Sequence, residues 1–328
     1  MKYYTCANTS AGFWDLTMDN TFDAEKVIKL NCSNKYITDK ILKELCRTIS
    51  DSAEKIIYPG SVNLFSGVID RKQKLAIVSA IEDSSCNVNA DEILGIKPCT
   101  EFKMPIPMEI AYSEAKKIHD DWEKIYIENM DFAKLDSYCE NIISTIVKGE
   151  STNGNTKVYK RFFGTTTSRG TVNFIDELTL GLNKRYFIKG RPGTGKSTFL
   201  KKLSSALTKN GFDIEQYYCS FDPMSLDMVV SRELSFCVFD STAPHEKFPE
   251  REWDVILDFY EESGLGGIDE KYEKELANIK NAYREKIEEG NKALKEALIH
   301  DNNIKLTVFN KVREEDIAEV VKRICEEV

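Results

Sequence analysis

The chain has 328 residues, of which 41% are hydrophobic and 30% charged, and its formal net charge at pH 7 is −9. This length exceeds that of one small domain and suits two domains of about 150 residues, each able to bury a core. The negative charge argues against broad non-specific binding to nucleic acid, which requires Lys and Arg to neutralise phosphates, although a local basic patch is compatible with it.

Two further features of the composition bear on location and redox state. No apolar run approaches the roughly 20 residues that a membrane-spanning helix needs, and residues 1–8 contain no signal-peptide core. We therefore expect a cytoplasmic protein without membrane contact. The nine cysteines include no C-x-x-C pair and no histidine at zinc-ligand spacing, so we expect free, reduced thiols.

The N-terminal part of the chain predicts an α/β unit. Short extended runs at residues 2–5, 12–16 and 27–30 come first. A helix follows, and its apolar face consists of Ile37, Ile41, Leu42, Leu45, Cys46 and Ile49. Strands are then predicted at residues 55–58 and 68–78, the latter broken by a polar turn, so the order is strand, helix, strand, strand.

A polar, glycine-containing segment at residues 148–157 has no apolar period and is predicted to be a linker. Beyond it, a turn at residues 168–170 between apolar runs predicts a hairpin that leads into a strand at residues 185–189. A helix follows this strand, and further strands are predicted at residues 214–219 and 234–239.

The C-terminal part predicts long helical segments. Apolar residues at spacings of three and four from Tyr272 to Leu298 indicate one long amphipathic helix, in which Gly290 and Asn291 favour an interruption. Packing against the body of the protein, or against the matching first-half segment, is the simpler expectation for its apolar stripe than a coiled coil with a partner.

The order of elements recurs along the chain. A shift of about 158 residues places 41–45 on 199–203, a shift of about 161 places 75–78 on 236–239, and a shift of about 181 places His119 on His300. We infer a duplicated α/β unit, with domains at residues 1–150 and 158–328. The alternative is that generic α/β periodicity aligns with itself.

One motif in the second half indicates chemistry. It matches the phosphate-binding pattern G-x-x-x-x-G-K-[ST] in full and consists of Gly190, Arg191, Pro192, Gly193, Thr194, Gly195, Lys196 and Ser197, with Thr198 next in the chain. A strand precedes it and a helix follows, which is the context that phosphate binding needs. Glycines let successive backbone N–H groups point at phosphate oxygens, and the helix N-terminus adds a favourable field.

The chemistry of the loop assigns roles to single residues. We expect Lys196 to reach the β- and γ-phosphates of a nucleotide and Ser197 to bind Mg²⁺. Asp240 ends an apolar strand and is the predicted second Mg²⁺ ligand; the alternative is a helix-capping or loop aspartate. No glutamate follows Asp240, so a water-activating base of that kind would have to come from elsewhere.

Several other polar residues are candidates for the same site. Asp222 follows a strand and could orient water or take a proton from an acceptor hydroxyl, or simply form the turn before Pro223. Asp227 is a weaker candidate, and His245 could approach the γ-phosphate or be exposed. His119 and His300 are expected to be structural positions of the repeat. Charge stabilisation is left open among Arg191, Arg232, Lys247 and Arg251.

The first half has no such loop. At the corresponding position it carries Asn31, Cys32, Ser33, Asn34, Lys35, Tyr36, Ile37 and Thr38, without glycine, and Ser79 stands where the second half has Asp240. Backbone with a Cβ at each position cannot wrap closely around a triphosphate. We predict a degenerate copy that binds no nucleotide. The chain also lacks the N-K-x-D sequence after the loop, so guanine specificity has no support.

The second half closely resembles a family of uncharacterised bacterial tandem P-loop proteins, generally described only as ATPase, ATP-binding protein or nucleotide kinase. The residues that carry the resemblance are 189–198, 221–223, 225–228 and 240–245, and a weaker likeness covers 1–150 at Gly12, Phe13 and 119–132. The resemblance implies P-loop folds and ATP binding but no substrate. Both halves commonly have a phosphate loop in that family, so the loss of the first argues against hydrolysis at two sites.

Together these observations predict an α/β protein, a P-loop NTPase-like three-layer sandwich in two tandem repeats with long helical segments. Its expected ligands are ATP and Mg²⁺ at one site in the second half, and hydrolysis is the first expectation. The alternatives are a kinase for a nucleotide or other small molecule, with Asp222 as base, and a non-catalytic module that reports nucleotide occupancy to a protein partner.

Overall fold

Two six-stranded mixed sheets lie at the centre of the protein. A computed structural model describes residues 1–49, 52–79, 81–149, 151 and 155–328. The fold class is mixed α/β, as the sequence predicts. Much of the predicted linker, at residues 150 and 152–154, lies outside the described residues.

The elements up to residue 146 follow the predicted order. The strands are β1 (Lys2–Tyr3), β2 (Cys6–Thr9), β3 (Gly12–Asp15), β4 (Lys26–Asn31), β5 (Glu54–Ile57), β6 (Phe65–Asp70), β7 (Leu75–Val78) and β8 (Cys86–Asn89). The helices are α1 (Met18–Thr21), α2 (Lys35–Ile49), α3 (Ala90–Ile93), α4 (Ile106–Ile127) and α5 (Phe132–Ile146).

The elements from residue 158 onward repeat this order. The strands are β9 (Val158–Phe162), β10 (Gly164–Thr167), β11 (Gly170–Asn173), β12 (Lys184–Lys189), β13 (Ile214–Tyr218), β14 (Leu226–Ser231), β15 (Phe236–Asp240) and β16 (Val255–Asp258). The helices are α6 (Ile175–Leu178), α7 (Lys196–Lys209), α8 (Phe259–Glu262), α9 (Ile268–Lys271), α10 (Glu273–Phe309) and α11 (Glu314–Glu327).

The two sheets have the same topology. The first sheet has the order β1-β5-β6-β7-β4-β8, and the second has β9-β13-β14-β15-β12-β16. In both, the antiparallel pairs are the second with the third strand and the third with the fourth, and the other three pairs are parallel. The register also shifts at equivalent points, Ile56/Ile57 and Tyr217/Tyr218.

The inner faces of the two sheets pack against each other. Alternate strand residues of both sheets form one core, including Ile69, Ala76 and Val78 from the first and Met228, Val230 and Phe239 from the second. Because side chains alternate along a strand, the other residues of the same strands point outward onto helices. The protein therefore has four layers, with the two sheets in the middle and a layer of helices on each outer side. Helix α6 contributes to the core between the sheets. The predicted three-layer sandwich is wrong, because a sheet covers the face assigned to helices.

The outer helical layers combine segments from both parts of the chain. Helix α5 packs with α7 on the second sheet, where Leu135, Cys139 and Ile146 join the core. Helix α11 packs with α2 on the first sheet through Ile317, Val320 and Ile324. Thus α5, the last helix of residues 1–150, covers the second sheet, and α11, the last helix of residues 158–328, covers the first sheet.

Helices α4 and α10 lie antiparallel along each other. Tyr112 packs near Leu294, and Tyr126 packs near Leu276. The predicted break at Gly290 and Asn291 is wrong, because α10 is continuous from Glu273 to Phe309. A Cβ at Gly290 would lie 2.5 Å from the Tyr112 ring, so this glycine permits close helix packing instead.

Two expectations from composition can be compared with the structure. Among the described residues, no helix combines the length and the apolar character required to cross a bilayer. All nine cysteines are free thiols.

Candidate functional site

The segment between β12 and α7 forms a tight loop at the carboxyl end of a central strand. Strand β12 lies between the parallel strands β15 and β16, and helix α7 begins at Lys196. Gly193 and Gly195 have φ of +77° and +76°. This left-handed conformation is costly for residues with a Cβ, so the two glycines allow the chain to turn before the helix starts.

Further contacts close the loop on itself. The Thr194 hydroxyl accepts a hydrogen bond from Arg191 N and donates one to Arg191 O, at 3.2 and 2.7 Å. A Cβ at Gly190 would lie 2.6 Å from this hydroxyl, so the first glycine is required for its position. The predicted loop residues are therefore brought into one turn, with the exposed Thr198 on the first turn of α7.

Lys196 and Asp240 meet beside the loop. The Lys196 ammonium lies 3.5 Å from Asp240 Oδ2 and donates a hydrogen bond of 2.8 Å to Arg191 O. Asp240 ends β15, and its other oxygen accepts hydrogen bonds from the backbone N–H and hydroxyl of Thr242. The carboxylate is therefore held by the turn that follows β15, with one oxygen directed at the lysine.

Ser197 connects the loop to the neighbouring strands. Its Oγ accepts a hydrogen bond of 2.9 Å from Leu226 N at the start of β14. The hydroxyl proton and a lone pair are left to a ligand, so Ser197 and Asp240 are both available as oxygen ligands for a hard cation.

Arg191 is engaged on the far side of the loop. Its Nε and Nη2 both lie near Oδ2 of Asp269, at 2.9 and 2.8 Å, and the guanidinium lies over the Tyr260 ring. Tyr126 from α4 donates to the other oxygen of Asp269. The arginine thus anchors the loop to α9.

A cleft of about 730 Å³ opens over the loop. The loop and the ends of β13, β14 and β15 form its floor, and helix α4, helix α10 and the β10–β11 hairpin form its walls. The wall residues include Tyr112, His119, Trp122, Glu123, Thr166, Thr171, Tyr283 and Asn291. The size is within the range of small-molecule sites in proteins.

Two aspartates besides Asp240 line the cleft. Asp222 lies in the β13–β14 connection, where its Oδ2 is 3.3 Å from the Lys116 ammonium and its Oδ1 caps Met224 N. Asp227 is buried on β14 and accepts a hydrogen bond from Ser225. Burial, together with the charge of Asp240, raises the pKa of Asp227 to about 7.

Two histidines line the cleft with a buried ring nitrogen that forms no hydrogen bond. These are His119 on α4 and His245 after β15. Burial lowers the pKa of His245 to about 4, and burial followed by the Lys116 charge lowers the pKa of His119. Both rings are therefore neutral at pH 7.

The basic residues considered for charge stabilisation are mostly directed elsewhere. Arg232 pairs with Glu215, Lys247 pairs with Asp176, and Arg251 donates to Leu182 O. None of the three lines the cleft in the described part of the chain. Lys189 and Lys280 line it, and sequence analysis had not singled out either of them.

Sequence analysis also missed the walls of the cleft. Helix α4 belongs to the first predicted domain range, yet it lies over the loop of the second. The signal available was the match of His119 with His300, which placed these residues at equivalent positions of the predicted repeat. It could not indicate which sheet each helix covers.

The corresponding connection in the first half has a different structure. Helix α2 begins at Lys35, so only three residues separate it from β4. The Lys35 ammonium lies 2.6 Å from Asp301 of α10, and Asp301 also pairs with Lys305. Asn34 donates a hydrogen bond to Lys305 O. Residues of α10 therefore hold the start of α2 through these contacts.

Comparison with known proteins adds no further information. No protein-family model, no curated protein and no solved structure matches this chain.

Proposed function

We propose that the chain is a Mg²⁺-dependent nucleoside triphosphatase that binds ATP at a single phosphate loop, residues 190–197. The observation that carries the proposal is the pair of left-handed glycines, Gly193 and Gly195, directly before a helix that begins with Lys196. This arrangement places the N-terminus of the helix at the end of a tight glycine turn, which favours a polyphosphate.

The side chains around the loop fit the same ligand. Lys196 supplies a positive charge for the β- and γ-phosphates once it exchanges its hydrogen bond to Arg191 O for phosphate oxygens. Ser197 and Asp240 supply the hydroxyl and carboxylate oxygens that Mg²⁺ prefers. When bound, Mg²⁺ would withdraw charge from the phosphates. Phosphoryl transfer depends on such positioning and charge stabilisation more than on covalent chemistry by the protein.

We further propose that the two halves are copies of one P-loop-like unit, as in the tandem family that the sequence resembles. The same strand order, strand directions and register shift in both sheets support this proposal. The short Asn31–Lys35 connection supports one nucleotide site per chain, since α2 begins where a second loop would lie.

A kinase is the second candidate. The cleft continues beyond the loop to Asp222, Tyr112 and Asn291, which leaves space for an acceptor beside the nucleotide. Asp222 could then receive the proton of an acceptor hydroxyl. A phosphorylated product that forms only with one acceptor, instead of free phosphate, would identify this activity.

The test is calorimetric titration of the protein with Mg·ATP, combined with a phosphate-release assay and a panel of acceptors. We expect one site per chain and slow phosphate release. Lys196→Ala should abolish both, because the loop loses its only lysine, whereas Lys209→Ala at the exposed C-terminal end of α7 should change neither. Absence of binding in the wild-type protein would disprove the proposal.

A further inference from the structure

Helix α4 places two proton-accepting side chains on the wall of the cleft. His119 and Glu123 are one helical turn apart, and His119 Nδ1 lies 3.5 Å from Glu123 Oε1. The backbone of Glu123 touches the phosphate loop, because a Cβ at Gly193 would be 2.9 Å from Glu123 O. The pair is therefore fixed against the loop even though it belongs to the first half of the chain.

The two residues directly after Asp240 do not offer an equivalent group. Ser241 and Thr242 follow it, and their hydroxyls bind Lys247 O and Asp240 itself. Asp240 faces Lys196 and is assigned to the cation. Hydrolysis nevertheless requires a group that receives the proton of the attacking water, and such a group contributes about 10²- to 10⁴-fold to the rate.

We propose that His119 is the general base of the reaction and that Glu123 positions its imidazole. This inference rests on the proposed triphosphatase function. The water oxygen forms a bond to the terminal phosphorus, its proton passes to His119, and the bond from that phosphorus to the diphosphate breaks. The diphosphate leaves with the electron pair of that bond, and His119 returns the proton to solvent. In the complex with substrate, Nδ1–H donates a hydrogen bond to Glu123, which leaves Nε2 to accept the proton.

The surroundings of His119 suit this role. The ring is buried enough to be neutral at pH 7, as a base must be, and its Nδ1 forms no hydrogen bond. The 3.5 Å separation from Glu123 is long, as is common for catalytic pairs before a ligand is bound. The charged and titratable groups that act on the ring are Lys116 and Asp120 of α4, Lys196 of α7, Asp222 of the β13–β14 connection and, by ring contact, Tyr283 of α10.

The same side chains offer a rival interpretation as a metal site. One ligand atom from each of His119, Asp120 and Glu123 falls within a 4.8 Å cluster. However, the Lys116 ammonium bonds to Asp120, and a second cation at that carboxylate would be repelled. A proton-transfer role for the histidine is therefore the better fit.

The experiment compares His119→Gln with His300→Gln, the exposed counterpart on α10, and Glu123→Gln with Asp121→Asn, an exposed acid on α4. Mg·ATP affinity by calorimetry and phosphate release from pH 5 to 9 are measured for each. We expect His119→Gln to lose at least about 100-fold in kcat with unchanged ATP affinity, and to lose the rise of kcat with pH. Glu123→Gln should lose about tenfold in kcat. The rise of kcat with pH should move to lower pH in this variant, since a neighbouring carboxylate stabilises the imidazolium.

A second variant guards against indirect structural effects. His119→Ala should also be slow, and added imidazole should restore part of its kcat, while imidazole has no effect on the wild-type protein. Intact ATP binding with normal turnover in His119→Gln would overturn the inference and leave the triphosphatase proposal standing. If the wild-type protein binds Mg·ATP but releases no phosphate, the inference is also overturned. If it binds no Mg·ATP, both proposals are overturned.

Discussion

The units β4–α2 and β12–α7 occupy the same place in their sheets but differ at the point where the helix begins. In both, the strand pairs in parallel with two neighbours, and a buried apolar residue of the helix lies ten residues after the strand, Ile41 in one and Phe199 in the other. Counted from the strand, Lys35 and Ile37 stand where the second half has Gly193 and Gly195. Residues with a Cβ avoid the left-handed conformation, so α2 starts one turn early.

The difference extends to the acidic residues at the strand ends. Asp227 and Asp240 line the cleft of the second half, and the equivalent positions in the register of β6 and β7 are Ser66 and Ser79. One contact is retained in both halves: Phe65 N donates to Asp39 as Leu226 N donates to Ser197. The framework is thus shared, while these two strand ends are acidic in the second half and carry serines in the first.

The two halves are alike where the sheets meet. Arg161 is almost completely buried and binds Glu54 of β5 at 3.0 Å and Glu215 of β13 at 3.3 Å. These two glutamates occupy equivalent positions, since they pair with Ile69 and Val230 in their sheets. The framework that the two halves share and the strand ends in which they differ can be tested separately.

The largest effect on stability should come from Arg161→Met. Both carboxylates would remain buried with fewer partners, and breaking a buried pair in this way costs about 3–5 kcal/mol. We expect a loss near the lower limit, because Arg71 still binds Glu54 and Arg232 still binds Glu215. Urea denaturation measures the change. Surface substitutions change stability by up to roughly 0.5 kcal/mol. A change within that range would show that the contacts of Arg161 with the two glutamates do not hold the sheets together.

The contact between Arg161 and Glu54 also predicts how the stability of the protein falls at low pH. Burial opposes ionisation of Glu54, but the charges of Arg161 and Arg71 outweigh it and lower its pKa from 4.5 to about 2. A carboxyl with a lowered pKa in the folded state stabilises the protein above its unfolded pKa. This contribution is lost as pH falls from about 4.5 towards 2. Denaturation at pH 7, 4.5 and 3 should show a steeper loss in wild type than in Arg161→Met.

The next prediction removes the feature that separates the two loops. In Gly193→Ala, the new Cβ would lie 2.9 Å from Glu123 O in a backbone conformation that costs about 1–2 kcal/mol. We expect a loss of ATP affinity on the order of 100-fold, equivalent to about 2.7 kcal/mol. Gly181→Ala is the control, since its φ is also positive but its Cβ would contact nothing. Equal ATP affinity in both variants and wild type would show that the loop glycines do not distinguish the halves.

Sequence alone predicted much of this framework. The strands and helices follow from period-two and period-3.6 patterns, and the loop follows from three glycines, Lys196 and Ser197 in a fixed spacing. These signals are local, and each lies within about 20 residues of chain. The strand, the glycine-containing turn and the helix that follows it were therefore predicted at the residues where the structure has them.

The layer order and the cleft walls could not be predicted in the same way. Strands β7 and β15 are apolar on both faces, and this pattern does not reveal whether a helix or another sheet covers the inner face. Likewise, the apolar residues of α4 do not reveal which element they pack against. Its position over Gly193 depends on packing against α10 and on the path of the chain between the halves.

A smaller effect is expected from Lys35→Ala in the first half. Burial lowers the pKa of Lys35, whose ammonium pairs with Asp301. Its removal leaves Asp301 with Lys305 as partner, so we expect a loss of about 2 kcal/mol in stability. Mg·ATP affinity should stay within twofold, the reverse of Lys196→Ala. A large loss of ATP binding in Lys35→Ala would show that the first half contributes directly to the nucleotide site.

The smallest effect is expected from Ser79→Asp, which restores one acidic strand end to the first half. A carboxylate alone provides no backbone N–H groups for phosphate, because Lys35 and Ile37 already belong to α2 and Asp301 and Lys305 fill the adjacent space. Calorimetric titration with Mg·ATP should therefore still give one site per chain, with affinity within twofold of wild type. A second binding event in this variant would mean that the carboxylate, and not the glycine-dependent loop, separates the two halves.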